Sequence, residues 1–245
     1  MKIDYWDKHP DEFERVNHYL NLAGLDCERF IGDNPPTEFD LLFVHDGPFA
    51  GQVPHDRRKD CIIIFCVHPI YINSYFYQGY TRAILKNQEH KKAWMGEGVI
   101  LNPLIKIYEP APVNDKIVSI IHYYEQRDRE GYYQALSLGG LVYGEQSPLG
   151  NANDHELFKE GMKALFHVKR CGYLCNAVIK AISYGVPIIM DRGTYDFGYQ
   201  DILIPNYNMA VFGEEYDLDK IRENQLKHRL LLHEQTKHSE ILKLL

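Results

Sequence analysis

The stretch "GYLCNAVIKAISYGVPIIM" (residues 172–190) reads as a glycine turn, an amphipathic helix, a glycine stop at Gly185 and a buried strand. A helix that stops on glycine and passes within a few residues into an apolar run is half of a βαβ unit. Upstream, "KIVSIIHYY" (116–124) reads as a strand, "REGYYQALSL" (129–138) as a helix and "GGLVYG" (139–144) as a strand. "DHELFKEGMK" (154–163) is then a helix and "ALFHV" (164–168) a strand. Downstream, "ILIPN" (202–206) reads as a short strand and 217–244 as one long amphipathic helix with an apolar stripe of Ile221, Leu226, Leu230 and Ile241.

The first half repeats the alternation. "MKIDYW" (1–6) opens as a strand, and "PDEFERVNHYLNLAGL" (10–25) sets Phe13, Val16, Tyr19 and Leu20 at helical spacing before Gly24. "FDLLFVHDGPF" (39–49) and "DCIIIFCVHPIY" (60–71) are buried strands ending in polar loops. The segment 73–95 reads as mostly helical, and 98–110 returns to strand and loop. "YEPAPVND" (108–115), with two prolines, marks the linker, so the expected domains are 1–109 and 113–245. Strands alternating with helices predict parallel sheets covered on both faces. The expected fold class is α/β, with two Rossmann-like domains facing across a cleft.

Composition narrows the function. A chain of 245 residues with 45% hydrophobic residues can bury sizeable cores. Its longest apolar run, "CIIIFCV" (61–67), is far shorter than the ~20 residues that span a bilayer. "MKIDYWDKHPDEF" has acids and no apolar signal region, so a soluble, cytoplasmic protein is expected. Five cysteines, with Cys61, Cys66, Cys171 and Cys175 in apolar or helical contexts, suit reduced thiols. His167, Cys171 and Cys175 form H-x3-C-x3-C, but a strand-to-helix turn would splay those ligands, so no metal is assigned. A net charge of −7 with dispersed lysines and arginines argues against a nucleic-acid partner.

Open parallel sheets bind ligands beyond the carboxyl ends of their strands. Those positions hold His45, Asp46 and His68 in the first half. In the second they hold Arg127 and Arg129, then Gly144, then Lys169, Arg170, Gly172 and Tyr173. Basic side chains beside a helix start favour an anion such as a diphosphate. The Asp-x-Asp common in metal-dependent sugar transfer occurs only as "DLD" (217–219), where it caps a helix. Neither Gly-x-Gly-x-x-Gly nor Gly-x4-Gly-Lys-Ser/Thr is present, and no cofactor is expected.

Taken together, 39–190 resembles GT-B-type glycosyltransferases of the retaining, nucleotide-sugar-dependent group 1. The likeness lies in the order of "IVSIIHYYEQRDREGYYQAL", "GLVYGEQSP" and "CGYLCNAVIKAISYGVPIIM", with Ala181, Gly185, Val186, Pro187 and Ile188 in step. "VILNPLIKIYEP" is similar to the segment joining that family's domains, and "DLLFVHDGP" and "IIIFCVHP" to its two His-ended N-terminal strands. The resemblance implies a reduced acceptor-side domain at 1–109 and a donor-binding domain at 113–245. It implies retaining, metal-independent transfer from a nucleotide-diphosphate sugar to a carbohydrate or other hydroxyl acceptor.

It also assigns roles. His68 and Lys169 would act at the reacting centre, while Arg127, Arg129, Gly144, Arg170, Gly172, Tyr173 and Lys180 would hold the donor. His45 and Asp46 would line the acceptor side, where the aromatics of 71–80 are available for stacking. The family's two glutamates are replaced, the first by Cys171 or Gly172 according to a one-residue gap and the second by Lys180. A charged lysine only donates hydrogen bonds, so it suits a phosphate or carboxylate better than ribose hydroxyls. The alternative reading is a catalytically degenerate GT-B-like protein that binds a carbohydrate or assembles with a partner.

Overall fold

The computed structural model describes residues 1–6, 10–66, 72, 74–123, 125, 127–169, 175–196, 198–238 and 240–245. The first sheet contains β1 (Ile3–Trp6), β2 (Glu28–Phe30), β3 (Leu41–His45), β4 (Cys61–Ile64), β5 (Arg82–Leu85) and β6 (Glu97–Ile100). Their order is β2-β1-β3-β4-β5-β6, and every neighbouring pair is parallel. The second contains β7 (Ile117–Tyr123), β8 (Leu141–Glu145), β9 (Ala164–His167), β10 (Ile188–Met190) and β11 (Met209–Val211). Its order is β11-β10-β9-β7-β8, again all parallel. Strand order reverses between β1 and β3 in one sheet and between β7 and β9 in the other, which marks the ligand edge of each. Both halves are therefore doubly wound α/β units.

Side chains on a strand alternate between faces, and both faces are covered here. Leu41, Phe43, Ile62 and Ile64 belong to one buried cluster, while Leu42, Val44, Cys61 and Ile63 belong to another. In the second sheet Val118, Leu165 and Ile188 fill one side and Phe166, Ile189 and Ala210 the other. The connecting helices are α1 (Pro10–Leu22), α2 (Pro48–Gln52), α3 (Gln88–Ala93), α4 (Tyr132–Ser137), α5 (Asp154–Glu160), α6 (Asn176–Tyr184), α7 (Arg192–Asp196) and α8 (Leu218–Gln235). None of the described helices is long and apolar enough to cross a membrane.

Several expectations need correction. Segment 73–95 is not mostly helical, because it contains β5, with Ala83, Ile84 and Leu85 fully buried between neighbouring strands. Sheet burial overrode a helix-compatible pattern there. Residues 202–206 form no strand, since the N–H groups of Ile202 and Leu203 turn back onto the Tyr199 carbonyl at 3.1 and 2.8 Å. The edge strand follows instead at β11.

The compact units are Met1–Pro103 with Gln235–Leu245, and Leu104–Glu234. The proline-rich stretch at 108–115 thus lies inside the second unit. The Tyr108 and Ala111 N–H groups bond the carbonyls of Ser183 and Tyr184. The long C-terminal helix ends at Gln235, and the chain then contributes a 3-10 turn, Ile241–Leu244, to the first unit. Ile241 and Leu244 are buried in its core, and Arg82 donates to the Leu244 carbonyl at 2.8 Å. Ile221 is buried in the second unit and Leu230 is half exposed, so the expected stripe does not exist as one face.

Ile241→Ala should cost about 2–5 kcal/mol in denaturant unfolding, the usual range for emptying a buried aliphatic site. Amide exchange should accelerate in β5 and β6, while β9 and β10 keep their protection. Uniform acceleration in both units would contradict this packing.

Candidate functional site

Of the expected site residues, Arg127, Arg129, Gly144 and Lys169 are described at the carboxyl edge of the second sheet. After β7 the chain turns through 127–131, where the Arg127 carbonyl accepts from the N–H groups of Glu130 (3.3 Å) and Tyr132 (3.0 Å). Gly131 closes this turn at φ +70°, and a β-carbon there would lie 2.7 Å from Cβ of Val168. The turn bearing Arg127 and Arg129 is thus packed directly against the end of β9. Lys169 follows Val168, and its backbone N–H donates to Thr194 Oγ1 at 3.2 Å. Thr194 belongs to α7, whose first turn is capped by Asp191 through a 2.8 Å bond. Arg129 is exposed, while Arg127 and Lys169 are half-buried.

Beneath this rim lies a neutral network. His167, the last residue of β9, is buried, with Nε2 3.2 Å from the Tyr199 hydroxyl. That hydroxyl accepts from the N–H of Cys175, the N-cap of α6, at 3.1 Å. The Tyr199 hydroxyl thus joins the His167 ring to the start of α6. Burial, reinforced by the Lys169 charge, pushes the His167 pKa down to about 3. Burial also raises the Tyr199 pKa, so this hydroxyl keeps its proton. Lys169 is consequently the charged member and His167 the neutral post beside it.

Other expected residues divide. Gly144 lies at the end of β8, where a β-carbon would come 2.5 Å from the Ile121 carbonyl oxygen. Its small size serves the close approach of β8 to β7. Lys180 sits on α6 and pairs across to Asp154 on α5 at 3.4 Å, both side chains largely covered. Arg170, Gly172 and Tyr173, with Cys171, lie outside the described residues, as does His68. The helix expected to open at Gly172 is described from Asn176.

In the first unit the structure brings His45 and Asp46 together at the end of β3, with His45 Nδ1 3.1 Å from Asp46 Oδ1. The other carboxylate oxygen accepts from the Cys66 N–H at 2.5 Å. Burial opposes the charged form of His45, but Cys66 and Asp46 outweigh it and hold its pKa well above the usual histidine range. Of the 71–80 aromatics, Tyr75 and Phe76 are exposed, Tyr77 and Tyr80 are buried, and Tyr71 lies outside the described residues.

A charged cluster at the same edge escaped sequence reasoning. Glu12 of α1 is buried against Arg15 at 2.8 Å and against Lys86, which follows β5. Burial raises the Glu12 pKa, yet Arg15 and Lys86 overcome it and bring it down to about 2. A signal existed: Glu12 and Arg15 fall on the same helical stripe as Val16 and Tyr19, so the buried face of α1 had to carry charge. The partner Lys86, 74 residues away, had none.

No protein-family profile and no curated protein matches the sequence. Solved structures do match. Sucrose-phosphate synthase from Thermosynechococcus elongatus aligns with a TM-score of 0.61 at 10% identity, over 97% of this chain and 93% of that one. The lipopolysaccharide outer core galactosyltransferase WaaB, in its apo form, aligns at 0.55 and 14% identity over the whole of both chains. The pneumococcal O-GlcNAc transferase GtfA, solved with UDP and GlcNAc, aligns at 0.52 and 11% identity over 80% of this chain. The present chain spans 53% of that transferase. At such identities the likeness establishes the fold, and that fold is GT-B.

A histidine whose folded pKa is depressed supports stability above its unfolded pKa of about 6.5 and withdraws it as pH falls toward the folded value. Between pH 6.5 and 4 the melting temperature should fall less steeply for His167→Gln than for the parent. The His167 ring should keep neutral-imidazole NMR shifts down to about pH 4. A titration near pH 6.5 would remove the network just described.

Proposed function

We propose that the chain is a glycosyltransferase, moving a sugar from a nucleotide-diphosphate donor to a hydroxyl acceptor with retention and with no metal in the transfer step. The observation that carries this reading is the packing of the Arg127–Arg129 turn against Val168, which sets two loops bearing cations side by side at the switch point of the second sheet. The bound UDP of the GtfA structure makes uridine diphosphate the first probe to try.

The chemistry follows from charge. As the glycosidic bond breaks, negative charge grows on the leaving diphosphate, and fixed cations stabilise it more in the transition state than before. Arg127, Arg129 and Lys169 take that role, with Arg170, Gly172 and Tyr173 completing the donor loop. His167, neutral and fixed by Tyr199, adds no competing positive charge and props the strand end from which Lys169 projects. His68 positions the reacting hydroxyl, and His45 and Asp46 belong to the acceptor side.

One observation favours the second reading, a binding protein without turnover. Lys180, at the position of the family's second glutamate, is engaged by Asp154. In that case a nucleotide binds but no sugar is transferred or hydrolysed.

Arg127→Ala and Lys169→Ala should each weaken uridine diphosphate binding by roughly 10- to 150-fold in calorimetry, the loss of ~1.5–3 kcal/mol per charge-assisted bond. Lys159→Ala, which removes an exposed partner of Glu156, should leave the affinity unchanged. Equal effects at all three positions would discard the rim. His68→Ala should abolish transfer while sparing nucleotide affinity; binding with no turnover in the parent protein would establish the second reading.

A further inference from the structure

We propose that His45, Asp46 and Cys66 form a binding site for one zinc-class divalent cation at the carboxyl edge of the first sheet. A ring nitrogen, a carboxylate oxygen and the thiol sulfur of these residues all lie within 4.8 Å of one another. Ligands on a tetrahedral ion at ~2.0–2.3 Å stand roughly 3.3–3.8 Å apart, so small side-chain rotations close the set. Among the described residues no other group of three such side chains comes together.

The placement is built into the sheet. His45 pairs in register with Ile64, the last residue of β4, and Cys66 follows two residues later. Asp46 is anchored twice: its N–H donates to the Ile64 carbonyl at 3.0 Å, and Oδ2 accepts from the Cys66 N–H. That second bond is the outer-shell support a ligating carboxylate needs, and it leaves Oδ1 directed at the His45 ring. Tyr77 stands alongside, its hydroxyl accepting from the Gly47 N–H at 3.2 Å. Asp46 is buried, while His45 and Cys66 are half-buried.

The donor set selects the ion. One thiolate, one imidazole and one carboxylate suit zinc, whereas magnesium and calcium take oxygen ligands. The cation would clamp the loop after β3 to the loop after β4. It shares His45 and Asp46 with the acceptor side of the transfer reading above, which places no ion at the reacting centre, and its test involves no nucleotide, so the two can fail separately.

The full chain, stripped with chelator and dialysed against Zn²⁺, should retain one equivalent by elemental analysis. Co²⁺ in its place should give a thiolate-to-cobalt charge-transfer band. Cys66→Ser should abolish that band and weaken Zn²⁺ binding by more than about 100-fold, beyond the loss expected from an outer-shell change. Cys175→Ser should keep both. Should Cys66→Ser fail to fold, alkylation mapping on the parent chain decides: Zn²⁺ must protect Cys66 from iodoacetamide and leave Cys175 reactive. Absence of stoichiometric zinc, unchanged cobalt spectra in Cys66→Ser, or no protection of Cys66 would each overturn the site.

Discussion

Parallel strands covered on both faces leave polar chemistry one outlet. Leu41 to Val44 and Cys61 to Ile64 are buried throughout, so a charge placed among them would lose its hydration. Where the strands stop, the backbone pattern opens and polar groups become affordable. His45, Asp46, Cys66 and Lys86 in one unit, and His167 and Lys169 in the other, all occupy strand ends or the first residues beyond. The candidate chemistry of both units is a product of this exclusion.

The two edges handle burial in opposite ways. In the first unit Glu12 keeps its charge because Arg15 and Lys86 surround it, an arrangement whose Coulombic gain must offset desolvation of three ions. It ties α1 to the end of β5, and Arg15 and Tyr19 extend the tie to the carbonyls of Leu101 and Asn102. In the second unit the buried group, His167, gives up its charge, and its Nε2 meets the Tyr199 hydroxyl. The neutral solution places an uncharged strut under the start of α6, where the backbone N–H of Cys175 shares the same hydroxyl.

The doubly wound character was legible because it rests on local signals. Gly185 at φ +69° ends α6 as its sequence implies, and the alternation of apolar runs with helical stripes located β1, β3, β4, β7, β8, β9 and β10. What escaped was non-local. β2 is a three-residue edge strand with little burial, and β5 is four residues in a helix-compatible context, defined as a strand only by its neighbours. The membership of the C-terminal segment depends on which core accepts Ile241 and Leu244, and no local pattern encodes that choice. For the candidate site, the rim residues could be named from their place after apolar runs. Their supports, Tyr199 under His167 and Gly131 against Val168, lie 32 and 37 residues away from what they hold.

The late return of the chain has a consequence for synthesis. A ribosome delivers Leu104–Glu234 in one continuous piece, so that unit has all its strands in hand before the chain is finished. The earlier-made unit must wait for residues 241–244 before the hydrophobic layer around Ile3, Val16 and Val99 is sealed. Domains usually fold in the order they emerge. Here the half that leaves the tunnel first is the half that closes last.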